Sequence, residues 1–267
     1  MATPLDSAAH KLQGMTLPDD WVVVERIERP PDATGSTFSV GYFVERGGVR
    51  AYLKALHYSS PFRSGHDSAR VLQAMTSAHN HEVDVLEKCA GAGMDRVVRA
   101  LGSGEVVVPG VAGLPNVSYL IFELADGDIR AALSTVGATF DYAWALRMLH
   151  HAATGLWQLH QNELAHQDVK PSNVLTFGQD SSKLGDLGRA SQRGEHAPHD
   201  DEDHPGDPQY APPELLYGHV APGWIERRHA SDLYLLASLV VHVLRRNAHC
   251  FDPWIRGSHA IAIRVGG

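Results

Sequence analysis

The eight residues His166-Gln167-Asp168-Val169-Lys170-Pro171-Ser172-Asn173, followed thirteen residues later by Asp186-Leu187-Gly188, constrain this chain more than any other part of it. They supply a proton acceptor, a cation and two side chains suited to a hard metal ion. Between them lie a strand-like Val174-Leu175-Thr176-Phe177 and a turn, so the backbone doubles back and brings the two clusters together. A plain turn at Asp168–Pro171 would explain the first cluster but not the second.

Composition narrows the class of protein. With 267 residues and 43% apolar content, the chain can bury one large core or two small ones. Its longest apolar run, Leu233 to Leu244, includes His242 and falls short of the roughly 20 residues a membrane helix needs. No basic stretch leads into an apolar segment near Met1, so no secretory signal is expected, and a cytoplasmic location is. Cys89 and Cys250 are far apart and fit two reduced thiols. The net charge of −8 argues against nucleic-acid or anionic-membrane binding by bulk electrostatics. That excess is concentrated: Arg193 to Asp207 holds six of the 31 acids and one of the 23 Lys and Arg.

Two kinds of pattern divide the chain. Val22–Val24, Phe38–Val44 and Val49–Ala55 read as strands, with Glu45-Arg46-Gly47-Gly48 as a hairpin turn. Ala69–Cys89 reads as a helix stopped by Gly91-Ala92-Gly93, and Val97–Leu101, Glu105–Val108 and Ser118–Glu123 complete a sheet. After Asp128 the pattern turns helical. Leu146, Leu149, Ala153, Leu156 and Leu159 form a stripe, and Ser231-Asp232 offers an N-cap to Leu233–Arg246, whose apolar residues nearly encircle the helix. The expected fold is α+β and two-lobed: residues 1–20 a tail, 21–124 a small antiparallel sheet with one helix, and 125–267 a mainly helical lobe.

Phosphoryl transfer from ATP needs in-line positioning and neutralisation of phosphate charge more than covalent help. The order Lys54, a helix acid, Asp168, Asn173 and Asp186 resembles that of the eukaryotic-type serine/threonine protein kinases, from about Trp21 to Leu244. Ala51-Tyr52-Leu53-Lys54 is similar to the family's Val-Ala-Ile-Lys, which implies that Lys54 contacts the α and β phosphates; alone, it would be an edge-strand charge. Glu82 resembles its acidic partner, with Glu87 the competitor and a solvated helix face the bland reading of either. The resemblance implies that Asp168 takes or orients the substrate proton, Lys170 balances the γ-phosphate, and Asn173 and Asp186 bind Mg²⁺. Phe122-Glu123-Leu124-Ala125 resembles the hinge, making Phe122 the gatekeeper and Glu123 and Ala125 backbone partners of adenine. Asp128 either binds ribose or caps the next helix. Asp232 either holds the catalytic-loop backbone or only caps its own helix.

The chain departs from the family in several places. Aligned on Phe38, which the resemblance sets over the nucleotide, the phosphate loop reads Thr34-Gly35-Ser36-Thr37-Phe38-Ser39-Val40-Gly41, with few glycines in register. Gln167 stands where many members have an Arg that pairs with a phosphorylated activation loop, and no Ser, Thr or Tyr lies between Ser191 and Tyr210. Both absences imply activity independent of loop phosphorylation. Gly206–Glu214 resembles the end of the activation segment, with Asp207 in place of threonine; that carboxylate either pairs with Lys170 or raises the pKa of Asp168. His196, His199 and His204 match no tight metal site. The acidic segment suits basic substrate peptides. Only 35 residues follow Asp232, where the family has further helices and an Arg matched to Glu214; Arg256 is a substitute. An exposed apolar face on the last helix is therefore expected, with a partner to cover it.

The leading expectation is an ATP- and Mg²⁺-dependent enzyme acting on Ser or Thr of protein substrates. The alternatives are a weak or inactive binding module of the same fold, and a small-molecule kinase. Lys170-Pro171 and Tyr210–Glu214 speak against the latter.

Overall fold

The computed structural model describes residues 7–28, 39–57, 68–111, 114–135, 140–202 and 205–245. Phe38 and most of the phosphate loop lie outside them, as do His204, Cys250 and Arg256. The expected α+β, two-lobed fold is present.

In the small lobe, β1 (Val22–Arg26), β2 (Ser39–Arg46), β3 (Val49–Leu56), β4 (Ala100–Val107) and β5 (Asn116–Glu123) form one antiparallel sheet in the order β1-β2-β3-β5-β4. The turn residues Gly47 and Gly48 both have positive φ, which explains glycine at the β2–β3 hairpin. Two strands were expected at Val97–Leu101 and Glu105–Val108; instead β4 is one strand, with a register irregularity between Ala100 and Gly102. Gly104, in the gap between the two expected strands, is a packing residue: a Cβ there would lie 2.7 Å from the Tyr119 hydroxyl oxygen. Val97 instead bridges Leu184 of the large lobe.

Residues 7–20 are not a loose tail. Ala8, Ala9, Leu12 and Leu17 join Trp21, Val23, Tyr42 and Tyr119 in a core on one side of the sheet. There the Tyr42 hydroxyl donates to the Ala9 carbonyl at 2.8 Å. Helix α1 (Ser68–Gly91) packs Val85, Leu86 and Cys89 into a second core shared with the large lobe. Burial pushes the Cys89 thiol up to about 12, so this thiol is unreactive at neutral pH.

The large lobe begins at β6 (Gly127–Asp128) and α2 (Ile129–Thr135). Helix α3 (Tyr142–Gln161) is capped by Asp141, whose carboxylate accepts from Trp144 N at 3.0 Å. Its buried face runs through Ala145, Met148, Leu149, Ala152, Gly155, Leu156 and Leu159. Leu149, Leu156 and Leu159 lie in that face as expected, whereas Leu146 is 59% exposed and Ala145 takes its place. Strands β7 (Leu164–Ala165), β8 (Val174–Phe177), β9 (Ser181–Leu184) and β10 (Ser191–Gln192) form two small sheets, β6-β8-β9 and β10-β7.

A short helix, α4 (Pro213–Leu216), follows, and a π-helical turn, Ile225–His229, runs straight into α5 (Ala230–Arg245). Ser231 and Asp232 are therefore inside the helical run, and neither is its N-cap. Leu235, Leu239 and Val243 are buried, whereas Leu233 and Val241 are 57% and 59% exposed. No helix among the described residues is long and apolar enough to cross a membrane.

Candidate active site

The catalytic loop is held from beneath by one carboxylate. Asp232, fully buried, accepts the backbone N–H groups of His166 and Gln167, both at 2.8 Å, and faces His160 Nε2 at 2.9 Å. This identifies Asp232 as the support of the loop. His166 completes the fixation: its Nε2 meets the Gly185 carbonyl at 3.0 Å and its Nδ1 accepts the Asp168 N–H at 3.2 Å. Gln167, buried at φ 67°, keeps this costly backbone conformation because Asp232 and Arg228 hold both ends of the residue.

On this support Asp168 is ringed by donors. Its Oδ1 accepts Asp207 N at 2.9 Å; its Oδ2 accepts Asn173 Nδ2 at 3.0 Å and lies 3.0 Å from Lys170 Nζ. The Asp207 carboxylate approaches Lys170 Nζ at 3.4 Å and accepts Gln209 N at 3.0 Å. Of the two readings of Asp207, the geometry gives the pair with Lys170. Burial disfavours the ammonium of Lys170, but Asp168 and Asp207 more than offset this and raise its pKa.

Lys54 on β3 completes the site from above. Its Nζ lies 2.9 Å from both Glu82 oxygens and 3.2 Å from Asp186 Oδ1. Glu82 is thus the helix acid, and Glu87 is exposed on the other side of α1. Burial works against the charge on Lys54, yet Asp186 and Glu82 together hold its pKa above the usual lysine range. Lys54 in turn holds the Asp186 carboxyl below its usual range. Asp186 itself sits at φ 60°.

Between the lobes lies a cavity of about 490 Å³. Lys54, Glu82, Asn173 and Asp186 line one end; Val98, Phe122, Leu175 and the connecting residues Glu123, Leu124 and Ala125 line the other. That volume suits one small organic ligand with a charged end and a flat apolar end. Asp128 borders the cavity and also caps α2 through Ala131 N at 2.8 Å, so both of its readings fit. The Glu123 N–H donates to the Arg99 carbonyl at 3.1 Å, and its carboxylate pairs with Lys183 at 2.7 Å.

Sequence reasoning missed Lys183, Tyr52 as a cavity residue, and Arg228. Arg228 does leave a trace, four residues before Asp232 and so one helical turn away. No group of three or more His, Cys, Asp or Glu among the described residues could hold a metal. His196 instead faces Asp201, and His199 faces Glu202.

A sheet-rich lobe over a helical lobe, with a lysine, a loop aspartate and a second aspartate converging on the cleft between them, is the arrangement that the sequence resemblance implied. The family model described as "Protein kinase domain" matches residues 67–254, and the chain belongs to that family. Lys54 precedes the matched span and is tied to it by the structure. The chain is 35% identical over 72 residues to "Cell division control protein 2 homolog 3" of Trypanosoma brucei brucei, covering 27% of this chain and 23% of that protein. It is 33% identical over 100 residues to "CTD kinase subunit alpha" of Saccharomyces cerevisiae (38% and 19%). To human "Cyclin-dependent kinase 9" it is 32% identical over 103 residues (38% and 28%). In each case the similarity spans less than a third of the relative's length.

Proposed function

We propose that this chain transfers the γ-phosphoryl group of ATP to Ser or Thr hydroxyls of protein substrates, with no need of a phosphorylated activation segment. The observation that carries the reading is the convergence of Lys54, Asp168, Lys170, Asn173 and Asp186 on one cleft with an apolar far end. In this reading the adenine lies between Val98, Phe122 and Leu175 along the hinge, and Lys54 contacts the α and β phosphates. Lys170 neutralises charge beside the transferred group. Asp168 orients the substrate hydroxyl and receives its proton.

The donor set fits Mg²⁺. Asp186 offers a carboxylate and Asn173 an amide oxygen, both hard donors, and Mg²⁺ commonly takes only one or two protein ligands beside phosphate and water. Asn173 donates its Nδ2 to both the carbonyl and carboxylate of Asp168, which fixes the amide and turns its oxygen the other way, where Ser172 Oγ donates to it at 3.4 Å and a cation would compete for it. When bound, the ion would neutralise charge on the phosphate oxygens.

Loop phosphorylation has no evident place to act. Ser191, the nearest hydroxyl upstream of the acidic stretch, is 1% exposed and donates to Asp200 at 2.9 Å. A partner for the exposed side of α5 and a preference for basic peptides, met by the exposed Asp201 and Glu202, complete the reading.

The test is incubation of the purified chain with labelled ATP and Mg²⁺ beside Asp168→Ala. Label should appear on protein substrate and fall by roughly 10²–10⁴-fold in the variant. Phosphatase treatment of the wild type should leave its rate unchanged. Nucleotide binding without transfer in the wild type would favour the binding-module alternative.

A further inference from the structure

The activation segment and the catalytic loop are joined by a network that the chemistry above does not use. Arg228, whose side chain is 3% exposed, pairs with Asp200 at 2.7 Å. The same guanidinium donates to Gln167 Oε1 at 3.2 Å, and Gln167 Nε2 donates back to the Arg228 carbonyl at 2.9 Å. Asp200 is also the centre of its own segment. Its Oδ1 accepts Ser191 Oγ at 2.9 Å, its Oδ2 accepts Ala197 N at 2.8 Å, and its carbonyl accepts from both Arg227 and Arg228 at 3.2 Å. Trp224 Nε1 donates to Ser191 Oγ at 3.2 Å, closing the network from the turn before α5.

A buried ion pair is poor value as pure stabilisation, since an apolar pair of similar volume often does as well. What this pair adds is geometry. One planar guanidinium holds an acid at residue 200 and the amide at residue 167, and residue 167 immediately precedes Asp168. Elsewhere an added phosphate orders a loop by recruiting an arginine. Here the anion is encoded in the chain, and no Ser, Thr or Tyr lies between residues 191 and 210 to receive a phosphate.

Resting on the proposed phosphotransferase reading, we propose that Asp200 is a positioning residue: a permanent anion that, through Arg228 and Gln167, locks residues 191–202 to the catalytic loop and keeps Asp168 in register. It touches no substrate.

The test combines hydrogen exchange with kinetics on Asp200→Asn and Asp200→Glu in the full chain. Asp200→Asn should raise exchange at residues 191–202 and 166–168 while leaving β2 and β3 protected. It should lower kcat roughly 10- to 100-fold, as misplacement of a reacting group does, with KM for ATP held within about 2-fold. Asp200→Glu should recover much of the loss.

Should the uncompensated Arg228 keep Asp200→Asn from folding, the double variant Asp200→Asn with Arg228→Gln removes both charges and should show the same exchange pattern. Unchanged exchange and kcat would overturn the proposal; so would loosening that spreads equally to β2 and β3 with a raised KM. A wild type that transfers no phosphate would defeat the phosphotransferase reading alone, and the exchange pattern would still decide the role of Asp200.

Discussion

At Lys170 two carboxylates share one ammonium, Asp168 at 3.0 Å and Asp207 at 3.4 Å. A phosphate arriving at this site must compete with Asp207 for the lysine and meets its negative charge. Removing one charge about 4 Å away in a cleft open to water is worth about 1 kcal/mol at a dielectric near 80, a few-fold in rate. Asp207→Asn keeps an oxygen to cap Gln209 N and the backbone N–H to Asp168. We expect it to raise kcat/KM for ATP about 3- to 10-fold; a fall of that size in steady-state assays would mean Lys170 needs Asp207 as an anchor. At this scale the sequence was most legible where chemistry is contiguous: Asp168, Lys170 and Asn173 lie within six residues and meet in space. It was least legible where one residue answers another across the fold. Gln167 reads only as a missing arginine until Arg228, 61 residues on, is seen against it.

Among the elements, α3 depends on a glycine that helix propensity argues against. Ala at position 155 would gain about 1 kcal/mol of propensity in a helix interior. Its Cβ, however, would lie 2.8 Å from the Arg96 carbonyl oxygen and 3.0 Å from Leu184 Cδ1 of β9. The carbonyl cannot yield freely, because it accepts Leu184 N at 2.9 Å in the link between the lobes. Overpacking of this kind costs about 1–3 kcal/mol or more, so the clash outweighs the propensity gain. Gly155→Ala should lower unfolding free energy by about 1–2 kcal/mol net, seen as a lower urea midpoint at constant slope; a stabilised variant would show that α3 shifts freely. The same close packing explains why boundaries failed where they did. The gap between the strands expected at Val97–Leu101 and Glu105–Val108 falls on residues 102–104, where the Tyr119 side chain seats against Gly104 within one continuous strand. In the α3 stripe Leu149, Leu156 and Leu159 are buried as read, and Leu146 is not, because its less hydrophobic neighbour Ala145 takes the buried position.

Over the molecule as a whole, the two lobes share one core, and His79 and His151 are buried while His199 and His229 are half-buried. Burial and the nearby Lys54 push His79 from an ordinary 6.5 down to about 4. Burial likewise lowers His151, His199 and His229, with Arg96 and His160 reinforcing the effect at His151 and His229. A base whose folded pKa is depressed binds more protons when unfolded, so its contribution to stability is complete above the unfolded pKa and is lost as pH falls. The depressed carboxyl of Asp186 acts in the same direction at lower pH, while Glu82, raised by burial against the pull of Lys54, acts in the opposite one. The size of the His79 shift sets the expected sign: the fold should weaken from neutrality toward pH 5. His79 alone accounts for a loss on the order of 2 kcal/mol between pH 7 and pH 5. Urea unfolding at those two pH values should therefore give a clearly lower free energy at pH 5, and His79→Gln should remove a substantial part of the difference. Equal stability at both values in the wild type would mean these rings are protonated in place, with the lobes opening to water around them.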